Sequence, residues 1–243
     1  MPKIIVCPVA YNELIKLRLT IERFLKSPGH GQVDYLIVDD GSDDGTTEMI
    51  KSFAAQGVQT IKHPERRGVG AAIRTAIQHA TSNGYEIVVI MAGNNKDNPD
   101  EIPLLVEPIL KEGFDLVQGS RYLHGQRIGG DMPFYRKLAT RLHPWLLSLF
   151  VKTKITDSTN GFRAMRVAIF RDAQINLDQE WLNKYELEPY ILFKTIALGY
   201  RFKEAAVTKI YPPKNLGYTK MQPIVGWWSI LRPLIFLGFG IRK

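Results

Sequence analysis

The chain has 243 residues, of which 45% are hydrophobic and 23% charged, and these values predict a globular protein with one large α/β domain. The formal net charge of +8 favours anionic partners, namely nucleic acid, nucleotide phosphates or acidic lipid headgroups, and charge alone does not separate them. The single cysteine, Cys7, excludes a disulfide framework, and its place in the first apolar run predicts a buried core thiol.

Short β-rich runs alternate with helical patterns through the first half of the chain. The runs predict strands at 4–9, 33–39, 58–62, 85–91 and 115–119, with helices at 13–26, 43–55, 69–82 and 100–112. The second half is less regular and predicts helices at 133–152 and 184–198 and an edge strand at 201–210. This alternation predicts a mostly parallel sheet covered by helices on both faces. Ligands bind such sheets at the carboxyl ends of the strands, so we expect the functional residues in the loops that follow them.

The C-terminal stretch, residues 223–243, is almost wholly apolar. Its length is marginal for a bilayer span, and its tryptophans and flanking cations are typical of a helix in the headgroup layer. A tail that packs on the domain or makes an oligomer contact is the alternative interpretation. We predict one catalytic domain at 1–212, followed at 213–243 by a mobile loop and this membrane-associating or packing tail.

Acidic residues end the second predicted strand. Asp39 and Asp40 are consecutive there, and buried carboxylates are costly unless they meet a polar ligand or partner. A capped turn explains the next residues, in which Ser42 or Asp43 can cap a helix, but it does not explain the acidic pair. The first predicted strand ends in the segment PVAYNE, residues 8–13.

These two motifs, in this order and each at a strand end, resemble the inverting family 2 glycosyltransferases, which have the Rossmann-like GT-A fold. The resemblance is nearest to the polyprenyl- and dolichol-phosphate mannosyl- and glucosyltransferases and covers about residues 3–210. It implies that four side chains line the base and ribose of a nucleotide-sugar donor, with Asp39 at the same strand end. The four are Pro8, Tyr11, Glu13 and Asp40.

The segment that begins at His63 resembles the glycine-rich segment before the third helix of these enzymes. Gly68 allows close backbone approach, a helix N-terminus favours anions, and Arg66 or Arg67 can meet a phosphate. A nicotinamide-binding fingerprint would follow the first strand directly, where this chain has PVAYNE instead, so a dehydrogenase is disfavoured.

Further matches to the family lie in the second half of the chain. Arg121 and Arg136 match positions that bind the lipid phosphate and the donor phosphates in these enzymes, and Thr140 matches a nearby hydroxyl residue. A planar guanidinium suits that role because it engages phosphate oxygens in pairs. Asp157 begins a segment similar to the family's Asp-x-x-Ser-Gly-Phe-Arg, which ends here at Arg163, and the resemblance places that aspartate near the acceptor and the sugar.

Two more residues belong to the predicted site. Glu188 matches an acidic segment of the family and can meet sugar hydroxyls, although an exposed helix start explains it equally well. Lys220 lies where these enzymes carry a mobile loop that closes over the donor diphosphate.

The stretch after the fourth predicted strand departs from the family pattern. These enzymes carry Asp-x-Asp there and bind Mg²⁺ or Mn²⁺, but Ala92 and Asn94 replace the two acids around Gly93, and Lys96 follows. Divalent cations of this kind prefer anionic oxygen ligands, whereas Asn94 supplies a neutral one. The local charge changes by about three units, which disfavours a tight dication site.

Three interpretations of this stretch remain open. In the first, Lys96 replaces the cation and transfer is metal-independent. In the second, Asn94 and Asp97 hold a magnesium ion that is bound mainly by the substrate's phosphates. In the third, donor binding is lost and the protein is a pseudoenzyme or a regulatory binder, which the other intact motifs disfavour. Gly93 and Asn94 remain in the predicted donor-binding set.

The resemblance implies inverting transfer of a hexose from a GDP- or UDP-sugar to a polyprenyl phosphate, at the cytoplasmic side of a membrane by a peripheral or monotopic protein. The implied partners include a membrane surface and a second copy of the chain, but no nucleic acid. The predicted catalytic set is Arg121, Arg136, Asp157 and Lys96. A soluble hydroxyl acceptor, with Asp157 or Glu188 as the base, is one alternative. A non-catalytic nucleotide-sugar-binding protein is the other.

Overall fold

The computed structural model describes the backbone of residues 2–123, 128–129, 134–211 and 223–242, and the side chains of 2–123, 138–211 and 226–242. Its strands are β1 (Ile4–Ala10), β2 (Asp34–Asp39), β3 (Val58–Lys62), β4 (Ile87–Ala92), β5 (Leu116–Ser120), β6 (Ile128–Gly129), β7 (Arg163–Arg166), β8 (Phe202–Ala206) and β9 (Lys209–Ile210). Its helices are α1 (Leu14–Lys26), α2 (Thr46–Lys51), α3 (Val69–Ser82), α4 (Ile102–Glu112), α5 (Phe134–Val151), α6 (Leu187–Ala197) and α7 (Pro223–Gly238).

Within the described residues, seven strands form one sheet in the order β3-β2-β1-β4-β7-β5-β8. Strands β3, β2, β1 and β4 run parallel, as do β5 and β8, whereas β7 is antiparallel to both of its neighbours. Strand β9 pairs separately with β6, in parallel. This arrangement confirms the predicted mostly parallel sheet with flanking helices.

The core lies on both faces of the sheet because consecutive strand residues point to opposite sides. In β1, Ile5 and Cys7 pack with α3 and α6 on one face, whereas Val6 packs with α1 and α4 on the other. Cys7 is fully buried, as expected of a core thiol, and burial raises the pKa of that thiol.

The predicted edge strand at 201–210 is interrupted in the structure. It forms β8 and β9, and the break lies at Val207–Thr208. The Thr208 backbone N–H and hydroxyl donate to the Glu101 carboxylate at 2.9 and 2.8 Å, so this peptide leaves the sheet. The break turns the following residue, Lys209, toward the loop after β4.

Helix α7 packs against α5 and α6. Leu234 is 2% exposed, and the buried Glu186 accepts from the Ser229 hydroxyl and the Arg232 guanidinium, each at 2.5 Å. His143 of α5 contacts the Ile230 carbonyl oxygen at 3.0 Å. None of the helices in the described part of the chain combines the length and apolarity that crossing a bilayer requires.

Candidate active site

The loops after β1 and β2 are held together by polar side chains. Asp39 is fully buried, and its Oδ1 accepts from the backbone N–H and the hydroxyl of Ser42 at 2.9 and 2.5 Å. Its Oδ2 accepts from the Thr47 hydroxyl at 2.5 Å. The Ser42 hydroxyl in turn accepts from the Asn12 backbone N–H at 2.9 Å. Asp39 therefore fixes the turn into α2 and, through Ser42, the loop after β1.

Asp40 holds the glycine-rich loop that follows β3. Its Oδ1 accepts from His63 Nδ1 at 2.8 Å and the Arg67 backbone N–H at 2.9 Å, and its Oδ2 accepts from the Gly68 N–H at 2.7 Å. Gly68 has a φ of 107°, and a Cβ there would lie 2.4 Å from the Asn183 carbonyl oxygen, so only glycine fits. The carboxylate therefore binds two backbone N–H groups of the loop in which we expected a phosphate contact.

The loops after β1 and β3 present an aromatic ring and basic side chains. Tyr11 is half-buried, and the exposed guanidinium of Arg66 lies 4.3 Å from the centre of its ring, within range of a cation–π interaction. The side chain of Arg67 is also exposed on this loop. Glu13 lies at the start of α1 and is 8% exposed, whereas Pro8 is buried within β1, before the strand ends. Pro8 is thus the predicted donor residue that lies deepest in the sheet.

The loop after β4 contains a buried ion pair. Asp97 is fully buried, its Oδ2 accepts from the Ala92 backbone N–H at 3.0 Å, and its Oδ1 accepts from Lys209 Nζ at 2.7 Å. Lys209 also donates to the Asn160 side-chain oxygen at 2.6 Å. Asn94 has a buried side-chain oxygen without a hydrogen-bond partner among the described residues. The one acid of this loop is thus neutralised by a lysine 112 positions further along the chain.

Gly93 and Lys96 connect the same loop to β1 and β9. The Gly93 N–H donates to the Val9 carbonyl at 2.9 Å. Lys96 is 6% exposed, its carbonyl accepts from the Ile210 N–H at 3.0 Å, and its Nζ lies 5.1 Å from the centre of the Tyr211 ring. Lys96 is therefore a buried cation at the end of β9.

Arg121 and Asp157 form a bidentate ion pair after β5. Arg121 Nε and Nη2 donate to the two Asp157 oxygens at 2.6 and 2.7 Å, and Nη1 donates to the Tyr211 hydroxyl at 3.0 Å. Burial raises the pKa of the Asp157 carboxyl, but the charge and hydrogen bonds of Arg121 outweigh burial and hold that pKa below its ordinary value. Asp157 is therefore an ionised, hydrogen-bonded carboxylate and a poor proton acceptor.

The Arg163 guanidinium contacts both the backbone and the carboxylate of Glu188. The Arg163 guanidinium is almost fully buried and donates to the Glu188 carbonyl at 3.0 Å and the Asn160 carbonyl at 2.9 Å. It also lies 3.3 Å from Glu188 Oε1, whose side chain remains 20% exposed. Glu188 can thus reach a ligand, whereas the Arg163 guanidinium is engaged by protein atoms.

Tyr122 and Thr140 lie beside a groove along α5. Their hydroxyls share a hydrogen bond of 2.5 Å, and the groove between α5 and residues 152–156 has a volume of about 500 Å³. Its lining includes Tyr122, Pro144, Trp145, Leu149, Lys152 and Lys154. The side chain of Arg136 and all of Lys220 lie outside the described residues.

Three residues that we did not predict as functional contribute to this region: His63, Glu204 and Lys209. Glu204 of β8 accepts from the backbone N–H groups of Thr156 and Asp157 at 2.9 and 2.8 Å, and so fixes the Asp157 loop. His63 follows β3, so its position at a strand end could have identified it. Neither Glu204 nor Lys209 has such a signal, because their partners are distant in the sequence.

The sequence profile described as Glycosyl transferase family 2 matches residues 5–173, well over half of the chain. The chain belongs to this family. The undecaprenyl-phosphate mannosyltransferase of Micrococcus luteus is 30% identical over 218 residues, which cover 87% of this chain and 84% of that protein. The polyprenol monophosphomannose synthase of Mycolicibacterium smegmatis is 27% identical over 215 residues, which cover 87% and 78%. The chain is thus a glycosyltransferase, as its motifs predicted.

Solved structures confirm the predicted fold of this glycosyltransferase. The glucosyl-3-phosphoglycerate synthase from Mycobacterium tuberculosis, in complex with Mg²⁺ and uridine diphosphate, has a TM-score of 0.70 at 18% identity. The match covers 100% of this chain and 81% of that chain. At this identity the likeness shows the fold alone. Whether a divalent cation can bind depends on the residues of this chain.

Those residues do not fit a divalent cation after β4. Ala92 offers no side-chain ligand, Asn94 offers one neutral oxygen, and Asp97 is already bound by an ammonium group. No three His, Cys, Asp or Glu side chains come together as a metal site within the described residues. Hard cations require several oxygen ligands, preferably anionic, and this loop does not supply them.

Proposed function

We propose that this glycosyltransferase moves a hexose from a nucleoside-diphosphate sugar to a polyprenyl phosphate, with inversion at the anomeric carbon. The names of the two relatives, an undecaprenyl-phosphate mannosyltransferase and a polyprenol monophosphomannose synthase, support this acceptor class. On the donor side, Tyr11, Glu13 and the arginine-bearing loop after β3 surround the base and ribose.

The observation that carries the proposal is the groove that begins at Tyr122. Pro144, Trp145 and Leu149 give it an apolar wall, while Lys152 and Lys154 place cations along its rim. A ligand with an anionic head and an apolar chain matches this combination, because each part meets a wall of complementary character. By their match to the family's phosphate-binding positions, we assign Arg121 and Arg136 to the phosphate, and we assign Thr140 as a nearby hydroxyl.

The state of Asp157 favours a phosphate acceptor over a hydroxyl acceptor. A phosphate oxygen is already ionised at neutral pH and attacks the anomeric carbon without a base, whereas a hydroxyl requires one. Asp157 is a poor base because Arg121 binds both of its oxygens. The new bond joins the acceptor oxygen to the anomeric carbon, and the nucleoside diphosphate leaves with the electron pair of the bond that breaks. Lys96 and Lys220 are the cations assigned to that departing charge.

A membrane-docking face on α5 would bring the enzyme to such an acceptor. Leu138, Leu142, Trp145 and Leu149 follow one another at helical spacing and are each 49 to 60% exposed. Exposed apolar surface of this kind commonly marks an interaction site. The cations that rim the groove suit the anionic cytoplasmic leaflet, so we assign the face to peripheral contact on that side.

The acceptor is tested with detergent-solubilised polyprenyl phosphate and radiolabelled GDP- and UDP-hexoses. We expect label in the lipid fraction with one donor class, and an anomeric configuration opposite to that of the donor by NMR. The unphosphorylated polyprenol is the matched control, because it carries the same chain with a hydroxyl end. Transfer to the alcohol would support the hydroxyl-acceptor alternative, and no transfer with any donor would reject the proposal.

The docking face is tested by sedimentation with vesicles that contain anionic lipid. Leu142→Ser combined with Leu149→Ser should lower the bound fraction severalfold. Leu104→Ser is the matched control, since Leu104 is 51% exposed on α4, which packs on the opposite face of the sheet. Equal binding by both variants would contradict the assignment, and a change from dimer to monomer in the double variant would favour a second copy of the chain as the occupant.

A further inference from the structure

The loop after β4 holds an ammonium group where these enzymes were expected to hold a metal ion. Lys209 Nζ lies 2.7 Å from Asp97 Oδ1 and 2.6 Å from Asn160 Oδ1, and its side chain is 9% exposed. It therefore joins the loop after β4 to the loop before β7. A buried lysine bound by two oxygens from separate loops bridges those loops much as a metal ion would.

The ion pair is adjacent to the two positions that carry acids in the resembling enzymes. Asp97 Oδ2 accepts from the backbone N–H of Ala92, the first of these positions, at 3.0 Å. Asn94 occupies the second, with a buried oxygen that lacks a partner within the described residues. The Asp97 carboxylate thus links the Lys209 ammonium to the backbone of Ala92, the position at which the first metal-binding acid is replaced.

Contacts at the break between β8 and β9, and the pairing of β9, fix the position of Lys209. Glu101 binds the backbone N–H and the hydroxyl of Thr208, and β9 pairs with β6. An ammonium has three N–H donors, and the described residues receive two of them from Lys209. One donor remains for the oxygen of a ligand.

The local charge favours an anionic ligand and disfavours a second cation. Lys96, Asp97 and Lys209 together carry a formal charge of +1, and all three residues are buried. Two acids in place of Ala92 and Asn94 would have added two negative charges. Like charges repel strongly in a poorly solvated site, so the same arrangement that attracts a diphosphate repels a divalent cation.

We propose that the Lys209 ammonium is the resident cation of the donor site, where it bridges Asp97 and Asn160 and contacts the diphosphate, so that donor binding requires no divalent cation. This inference rests on the proposed function only in taking a nucleoside diphosphate as part of the donor. It names Lys209 as the principal cation and leaves Lys96 as its neighbour.

Binding of GDP and UDP, measured by calorimetry, tests the inference separately from transfer. In the unaltered protein we expect the affinity in EDTA and in excess Mg²⁺ to agree within twofold. Loss of binding in EDTA that Mg²⁺ restores would overturn the inference and leave the proposed function standing. If neither nucleotide binds under either condition, both proposals fail.

Variants distinguish an ammonium that meets the diphosphate from one that only joins two loops. Lys209→Met alone leaves the Asp97 charge unpaired, so the main variant is Asp97→Asn with Lys209→Met, which removes both charges. We expect its affinity for the diphosphate in EDTA to fall at least tenfold, with affinity for the uncharged nucleoside unchanged. An equal fall for both ligands would show a purely structural role and overturn the inference.

A restored metal site gives the converse test. Ala92→Asp and Asn94→Asp are added to the main variant, Asp97→Asn with Lys209→Met. The resulting protein has two new carboxylates and lacks the competing ammonium. We expect diphosphate binding to return with Mg²⁺ and not with EDTA. The matched control carries Ala92→Asp and Asn94→Asp with Asp97 and Lys209 intact. Mg²⁺ should raise its affinity for the diphosphate less. Equal Mg²⁺ enhancement in both proteins would contradict the view that Lys209 occupies the place of the cation.

Discussion

The buried carboxylates at the two sides of the site are stabilised in different ways. Asp39 and Asp40, at the end of β2, accept from hydroxyl, imidazole and backbone N–H groups. Asp97 and Asp157 are instead bound by the side-chain cations Lys209 and Arg121. On the β2 side many small contacts shape the loops, whereas on the other side two ion pairs do so. Loss of one partner should therefore be far more costly on the ion-pair side.

The largest effect should come from Arg121→Met. This change leaves Asp157 buried without its cation, and we expect the free energy of unfolding in urea to fall by about 3–5 kcal/mol. Replacing both partners, as Arg121→Met with Asp157→Leu, should recover much of that loss because no charge is then unpaired.

The exposed ion pair between Lys203 and Glu112 supplies the control for this prediction. Lys203→Met should change the free energy of unfolding by less than about 1 kcal/mol, because solvent screens the pair. If Arg121→Met and Lys203→Met lower the free energy of unfolding by similar amounts, burial does not raise the cost of losing the cation of an ion pair.

A second prediction concerns acid sensitivity on the ion-pair side. His143 Nε2 lies 3.0 Å from the Ile230 carbonyl oxygen, which can only accept, and Nδ1 lies 2.7 Å from the Ser158 hydroxyl, which can donate to it when the ring is neutral. Burial lowers the pKa of His143 from 6.5 to about 4. Between these values the unfolded chain binds the proton and the folded chain does not. Stability is therefore complete above pH 6.5 and decreases as pH falls toward 4, by up to about 3 kcal/mol.

Urea unfolding at pH 7.5, 6 and 5 measures this decrease. His143→Gln, which cannot titrate, should show a shallower loss of stability between pH 6.5 and 5 than the unaltered protein. His30→Gln, at an exposed position, is the control and should retain the full loss. An unchanged slope in His143→Gln would mean that His143 does not contribute to acid sensitivity.

The two sides also differ in how far the sequence predicts them. Strands β1 to β5 are apolar runs, so the loops after them, with Asp39, Asp40 and Arg121, could be found from strand ends alone. Strand β7 was not predicted because it has only four residues, and the buried Arg163 made it look like a polar turn. Lys209 was predicted only as part of an edge strand. Its role depends on Asp97, 112 positions earlier, and no local periodicity encodes such a pairing.

The smallest of these effects should come from Thr47→Val on the β2 side. Valine keeps the shape of the side chain and removes the hydroxyl that donates to Asp39 Oδ2. The carboxylate retains both hydrogen bonds from Ser42, so we expect a loss of about 1.5–3 kcal/mol, the range of one hydrogen bond to a charged group. Thr81→Val, which removes only a hydroxyl bond to the Ile77 carbonyl within α3, should cost less. A loss for Thr47→Val as large as that for Arg121→Met would mean that neutral donors and side-chain cations hold these carboxylates equally strongly. A loss no larger than that of Thr81→Val would mean instead that Ser42 alone is sufficient to hold Asp39 in place.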